Sequence, residues 1–324
     1  MRWGVMLLPA VLAGQDLQIG VLGLFHPQHA LVHAGSMQIG AELIPQSGPV
    51  LLAAENQQIV IRRGTELRRA REVSFQALRK IEIPGKISRR FFGRATVQAR
   101  ANELVLAVLT DLETAVATSV SAEAPHAPRE AARAQAVLAR SYYRAARRRH
   151  SLFDFCDTTH CQLFQDPPNA MAQSAAASTA GIILRHLGQP VEALFFRSCG
   201  GTTLNSAQVG LDASSFPYRA VPCEPCARSP LRWRSRLPFA EAHPLLAGTF
   251  SENQRLELAR RFGWQSLRSN FFELRRLGDW LLVEGKGEGH GVGLCQRGAA
   301  WMAQRGALYA EILAHYFPGA QLGQ

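Results

Sequence analysis

The sequence predicts an α+β fold: a β-rich N-terminal part, then a mixed α/β part with one long helix. Three observations predict it. From residue 17 to about 120, short apolar and β-branched runs alternate with Gly, Pro and Asn, the pattern of antiparallel strands and hairpins. Ala132, Ala136, Ala139, Tyr143 and Ala146 then recur at spacings of 4, 3, 4 and 3, which marks one buried helical face of small side chains. Beyond that helix, short strand-like runs return between Gly- and Ser-rich loops. With 324 residues the chain can bury a sizeable core. We divide it into segments 1–14, 15–110 and 111–324.

The first segment, MRWGVMLLPAVLAG, has one positive residue, an apolar run from Trp3 to Leu12, then Ala13 and Gly14. That is a short secretory signal pattern with cleavage after Ala13; a buried first strand is the competing reading. No later stretch reaches the roughly 18 apolar residues of a membrane helix, so no transmembrane anchor is expected after signal removal. No cysteine follows the apolar run, so lipid anchoring is not expected either. The expected destination is the periplasm, the cell wall or the extracellular space.

The runs LQIGVLGL, ALVHAG, MQIGAELI, PVLLAA, QQIVIRR, EVSFQAL, RKIEIPG and ATVQARANELVLAVL supply the N-terminal strands. Pro125 and Pro128 bracket a loop, and Pro128 suits the first turn of the helix, where a missing N–H costs nothing. Arg133, Arg140, Arg144 and Arg147 form a row along that helix; for Arg144 and residues 147–149 the reading is a solvated basic face. Residues 170–178 predict a surface helix or loop. Residues 181–187 and 191–197 predict paired strands joined by Gly188-Gln189-Pro190. Residues 198–218 predict a long loop, and 231–282 a helix-rich insertion. GKGEGHGVG at 285–293 predicts a turn whose backbone N–H groups can approach a ligand, and it is not a phosphate loop.

Apolar content of 47% and charged content of 19% describe a folded globular chain. The net charge of +11 favours polyanionic partners: nucleic acid, anionic lipid or bacterial wall polymers. No RNA-binding aromatic signature, zinc-finger spacing or basic zipper is present, so nucleic acid is not the expected partner.

The chemistry-bearing residues concentrate between Glu123 and Cys161. His150, Cys156, His160 and Cys161 have the composition and number of a structural zinc site. A Cys156–Cys161 disulfide fits the same residues in an oxidising compartment. Four protein ligands leave no open position for water, so neither reading is catalytic, and no H-E-x-x-H motif supports a zinc amidase or peptidase. The remaining cysteines are Cys199, Cys223, Cys226 and Cys295. Cys223-x-x-Cys226 lacks a thioredoxin-like context, and at least one disulfide among the four is expected, stapling the SCGG and HGVGLC loops together. Glu130, in the first helical turn, suits the helix dipole. Ser198 has no nucleophile elbow around it.

Taken in order, EAARAQAVLARSYY resembles the EALKAQAVAARTYA-type helix of the SpoIID/LytB family of bacterial cell-wall proteins. CDTTHCQ, SCGG, HGVGLCQRGA and EILAHYFPGA resemble four further blocks of that family, and the likeness covers roughly Ile87 to Pro318. It implies that 111–324 is a catalytic domain and that Glu123, in Glu123-Ala124-Pro125, matches the glutamate of a Glu-Met-Pro motif. SpoIID-like members are lytic transglycosylases. The implied reaction cuts the MurNAc–GlcNAc bond of peptidoglycan without water, closing a 1,6-anhydro ring with one glutamate as acid and then base. Ordinary glycosidases need two carboxylates. Burial is expected to raise the Glu123 pKa for that task. The resemblance further implies substrate contacts from Arg133, Arg140, Ser198, Gly200, Gly201, His290 and Gln296, and, in some members, zinc on His150, Cys156, His160 and Cys161. This chain departs at Ala115-Val116, where the family has a tyrosine, at Ala124 for methionine, and at Phe196-Arg197, where many relatives have His-Ser. LytB-type members imply the alternative, a non-catalytic wall-binding protein that enhances a cell-wall amidase. Without the resemblance, Glu123 reads as a loop glutamate paired with an arginine.

Overall fold

In a computed structural model of the chain, residues 16–146, 149–164, 166–211, 215–246 and 250–324 are described. The expected signal segment 1–14 lies outside them. The fold is α+β and divides into two compact units, Met1–Ala115 with Arg148–Cys161, and Val116–Arg147 with Gln162–Gln324. The sequence drew one boundary near residue 110. The chain instead changes unit at Ala115 and lends residues 148–161 back to the first.

The first unit is one eleven-stranded sheet. Its strands are β1 (Leu17–Val21), β2 (His29–His33), β3 (Ser36–Ile39), β4 (Glu42–Pro45), β5 (Val50–Glu55), β6 (Gln58–Arg63), β7 (Glu66–Ala70), β8 (Glu72–Ile83), β9 (Ile87–Arg100), β10 (Glu103–Thr110) and β11 (Phe155–Cys156). The main path runs β11-β1-β10-β9-β8-β2-β5-β6-β7, with β3 on β8 and β4 on β3. Pairing is antiparallel except for β11, which runs parallel to β1 through Ile19↔Phe155 and Gly20↔Cys156. In β8, Val73 and Phe75 are buried, then Leu78, then Ile81 and Ile83. The alternation changes phase because the register slips on either side of Leu78 and Ala77 takes a positive φ of 49°.

The returning stretch 149–161 is fixed to this sheet by polar ties. The Gln18 N–H donates to Asp154, and the Leu22 N–H and Arg89 donate to Asp157. Phe153 lies flat on Gly20, where any side chain would collide with its ring.

The second unit holds α1 (Leu112–Glu123) from residue 116 onward, α2 (Arg129–Ala145), α3 (Ala170–Ser178), β12 (Ile183–His186), β13 (Gln189–Pro190), β14 (Phe195–Phe196), α4 (Glu224–Arg228), β15 (Arg232–Pro238), α5 (Phe239–Ala242), α6 (Glu252–Phe262), β16 (Phe271–Leu277), β17 (Trp280–Lys286), β18 (Leu294–Cys295), α7 (Gln296–Gln304), α8 (Tyr309–Tyr316) and β19 (Gln321–Gly323). Pro128 stands just before α2 rather than inside its first turn. The expected hairpin of 181–197 is shorter: β12 pairs with β13 and β19, and β14 leaves to run parallel to β18. The insertion at 231–282 is not mainly helical. It is the antiparallel sheet β15-β17-β16 with α5 and α6 over a small core of Trp233, Leu237, Leu258, Leu267, Leu281 and Val283.

Helix α2 is the axis of this unit. Its alanines allow α3, α7, α8 and β12 to approach on several sides, so Ala131, Ala132 and every residue from Ala134 to Tyr143 are buried. The single apolar face read from the sequence was too narrow.

Candidate functional site

Glu123 is the last residue of α1, where Pro125 prevents the helix from continuing. Its carboxylate Oε1 accepts the Leu163 backbone N–H at 2.9 Å, and its carbonyl accepts Gln296 Nε2 at 3.2 Å. Burial pushes its pKa above the usual glutamate range, and the Leu163 N–H opposes this only in part. The negative end of the α1 dipole acts in the same direction as burial. Among the described residues no cation pairs with this carboxyl, so the arginine-paired loop glutamate is not what the fold builds.

Two glutamines that the sequence did not single out stand by these contacts. Gln135, buried in the alanine face of α2, accepts from Gln296 through Oε1 at 3.4 Å, and its Nε2 has no partner among the described residues. Gln162, 2% exposed and next to Leu163, has neither amide atom hydrogen-bonded among the described residues. Unsatisfied buried amides cost about 1–3 kcal/mol each, so a polar guest or water gains by meeting them. The signal in the sequence was the polar Gln135 amid an otherwise small, apolar helix face.

Glu130 contrasts with Glu123. Burial pushes its pKa up, but the Tyr309 N–H and Arg133 outweigh that and hold it below the usual range. Glu130 thus joins α2 to the start of α8, as an acid in a first turn can.

Most of the residues expected to contact substrate make contacts within the fold. Arg133 pairs with Glu130 at 3.0 Å, donates to Ser178 O and lies over the Tyr309 ring. Arg140 has no exposed surface. Its guanidinium donates to Ala176 O at 3.1 Å and Ile182 O at 2.9 Å, closing the carbonyl end of α3, so it cannot touch a substrate. Ser198 is buried with its Oγ 3.6 Å from Cys226 Sγ, so it does not face a sugar. Gly200 and Gly201 pack against Phe271 and Ala227.

The glycine-rich stretch is a zipper between backbones, not a ligand turn. Its N–H groups serve the chain itself: Gly287 to Leu231 O, Glu288 to Ser198 O and Gly289 to Arg268 O. Gly287 and Gly293 have φ of 77° and 82°, and a Cβ on either would collide with Ser198 O or Leu194 O. His290 secures the same seam. The Val292 N–H donates to its Nδ1 at 3.1 Å, so the ring proton sits on Nε2 and is donated to Phe195 O at 2.9 Å. Burial pushes its pKa down, which keeps the ring neutral. Beside it, Phe196 is buried 5.5 Å from the His290 ring, and Arg197 is exposed and pairs with Glu288.

In the first unit, His150 Nε2, Cys156 Sγ, His160 Nδ1 and Cys161 Sγ converge. The ligand atoms of this set lie within 4.8 Å of one another, and both cysteines are free. Zn–S bonds of about 2.3 Å and Zn–N bonds of about 2.0 Å give tetrahedral edges of about 3.3–3.8 Å. The observed edges are 3.4 Å for His150–Cys161, 3.6 Å for Cys161–His160 and 3.8 Å for Cys156–His160. The residues fit a zinc ion, and the Cys156–Cys161 disulfide alternative is not formed.

Comparison with known proteins bears on all of this. Residues 100–186 match the SpoIID family, described as stage II sporulation protein. Over 175 residues the chain is 29% identical to stage II sporulation protein D of Bacillus subtilis (strain 168), covering 46% of this chain and 50% of that one. It is 28% identical over 235 residues to an uncharacterized protein of Brachyspira hyodysenteriae, covering 61% of this chain and 62% of the other. A 66-residue stretch is 35% identical to the amidase enhancer of Bacillus subtilis, covering 20% of this chain and 9% of the enhancer. The chain spans about half the length of the sporulation relatives it matches.

Proposed function

From the SpoIID/LytB family assignment that these matches support, and the cell-wall-related role that goes with it, we propose that the chain is an exported lytic transglycosylase of peptidoglycan. The observation that carries this reading is Glu123 itself: a carboxyl lifted in pKa by burial, with no cation among the described residues to hold it ionised. In that state it donates its proton to the oxygen between MurNAc and GlcNAc as the bond lengthens. The carboxylate then accepts the proton of the muramyl C6 hydroxyl, whose oxygen attacks C1 and closes the 1,6-anhydro ring. The proton that leaves the acid is regained from the substrate, so one carboxyl suffices.

Leu163 N–H steadies the carboxylate formed midway, and Gln296 holds the chain at Glu123. The free amide atoms of Gln135 and Gln162 offer hydrogen bonds to acetamido and hydroxyl groups of the glycan. His150, Cys156, His160 and Cys161 would hold a zinc ion whose contribution is a structural cross-link of their loop. The basic surface suits an anionic wall polymer.

The test is mass spectrometry of purified sacculi after incubation with the protein. Anhydro-muropeptides should appear with the wild type and vanish with Glu123→Gln. Undiminished product from that variant would end the assignment. The second reading, a non-catalytic enhancer of a wall amidase, is favoured by the short enhancer match and by Phe196-Arg197. It requires no anhydro product at all and sacculus binding that ignores Glu123.

A further inference from the structure

The second unit gathers a set of thiols that the proposed reaction does not use. Cys199 follows β14, Cys223 caps α4, Cys226 lies within α4, and Cys295 ends β18 and caps α7. Three separate stretches thus bring their sulfurs together, each within 4.8 Å of the others. The four residues are 0–2% exposed. The sequence led us to expect at least one disulfide here, and that expectation is not met: all four thiols are free. A disulfide needs about 2.05 Å between sulfurs. Cys226 and Cys295 stand 3.7 Å apart, against about 3.8 Å for the edge of a tetrahedron with Zn–S bonds of about 2.3 Å.

The surroundings are those of charged sulfur. Cys295 Sγ accepts the backbone N–H of Cys199 and of Gly298, both at 3.4 Å. The Ser198 hydroxyl lies 3.6 Å from Cys226 Sγ, and the Tyr316 hydroxyl 3.5 Å from Cys223 Sγ. Neutral thiols pack as small apolar groups and need no such donors, whereas coordinated thiolates in a dry pocket are oriented by them. Gly298 has no room for a side chain, because a Cβ there would collide with Tyr316 and Cys223 Sγ.

We propose that Cys199, Cys223, Cys226 and Cys295 form a closed metal site that holds one zinc ion through four thiolates. Soft sulfur donors in a tetrahedron select zinc or iron among common divalent ions, and their close spacing leaves no room for a cluster with bridging sulfides. Loading releases the protons of the thiols that were not already ionised. No position remains for water, so the ion cross-links and does not catalyse. It ties the SCGG loop, the CEPC turn and the HGVGLC strand at the residue just before Gln296, and stands whether or not Glu123 cuts glycan.

The experiment measures metal per chain by plasma mass spectrometry on the full-length protein, with cysteine alkylation mapped before and after chelator. We expect zinc in the wild type, with Cys199, Cys223, Cys226 and Cys295 protected until the metal is stripped. Cys226→Ser and Cys156→Ala should each lose one equivalent, but Cys199, Cys223, Cys226 and Cys295 should stay protected only in Cys156→Ala. Cys226→His should keep the ion, and its cobalt form should lose part of the thiolate-to-cobalt absorption. Four oxidised cysteines in the denatured wild type would overturn the site, as would free alkylation of the set in the zinc-loaded protein. Iron in place of zinc would overturn the choice of metal. The alkylation arm uses only the wild type, so a variant that fails to fold leaves the test intact.

Discussion

His150, Cys156, His160 and Cys161 lie on one short stretch and remain partly exposed, whereas Cys199, Cys223, Cys226 and Cys295 come from three stretches and are buried. The first set spans 11 positions from end to end, the second 96. Closing a long loop costs little more entropy than closing a short one, about 0.6 kcal/mol per doubling. What differs is the dependence on the fold: a local set needs one loop to curl, while a dispersed set exists only after a whole core has formed. The dispersed set should therefore be the one on which the unit's integrity rests. Each set also ends within two residues of one that holds Glu123: Leu163 follows Cys161 by two positions, and Gln296 follows Cys295 directly.

The largest effect belongs to the carboxyl of Glu123. Glu123→Gln should reduce glycan cleavage about 10²–10⁴-fold while leaving zinc content unchanged, as read by muropeptide analysis and metal assay. The same variant has a pH signature. A carboxyl with a raised folded-state pKa contributes fully below its unfolded pKa and loses that contribution as pH climbs through the folded value. The Gln variant should thus melt higher than the wild type at neutral pH, with the gap closing below about pH 4.3. A constant gap across that range would mean the carboxyl is not held protonated.

Next in size, Cys226→Ala should cost several kcal/mol and lower the melting temperature by about 10 °C or more. Cys156→Ala should cost less, about 1–3 kcal/mol, and show chiefly as faster proteolysis and hydrogen exchange within residues 149–161. Equal melting shifts in these two variants would break the contrast between dispersed and local sets. Smallest of all, Gln296→Ala should slow cleavage about five- to tenfold, as one hydrogen bond of about 1 kcal/mol is lost. Metal content should not change.

The same contrast explains what the sequence could reveal. Strand runs, the long helix and the convergence of His150, Cys156, His160 and Cys161 announce themselves within short windows, by alternation or by spacing. Arg140 sits in a basic row by periodicity, yet α3 ends against it, so its charge serves Ala176 O and Ile182 O inside the core. The donor to Glu123 is a main-chain N–H of Leu163, which leaves no mark on residue identity. Ser198, Gly287 and Gly293 looked like loop chemistry, but two backbones press together there. Each miss is a packing partner distant in the chain that no local pattern encodes.

The separation of Cys199 from Cys295 also fixes an order of events. A ribosome makes Cys295 last of the four, so three thiols wait while the intervening residues emerge. If the chain crosses a membrane before folding, the quartet must be completed on the far side, where dissolved oxygen and oxidoreductases compete with the ion for the same sulfurs. Maturation then becomes a race between metallation and oxidation, decided by whichever reaches the first three thiols before the fourth arrives.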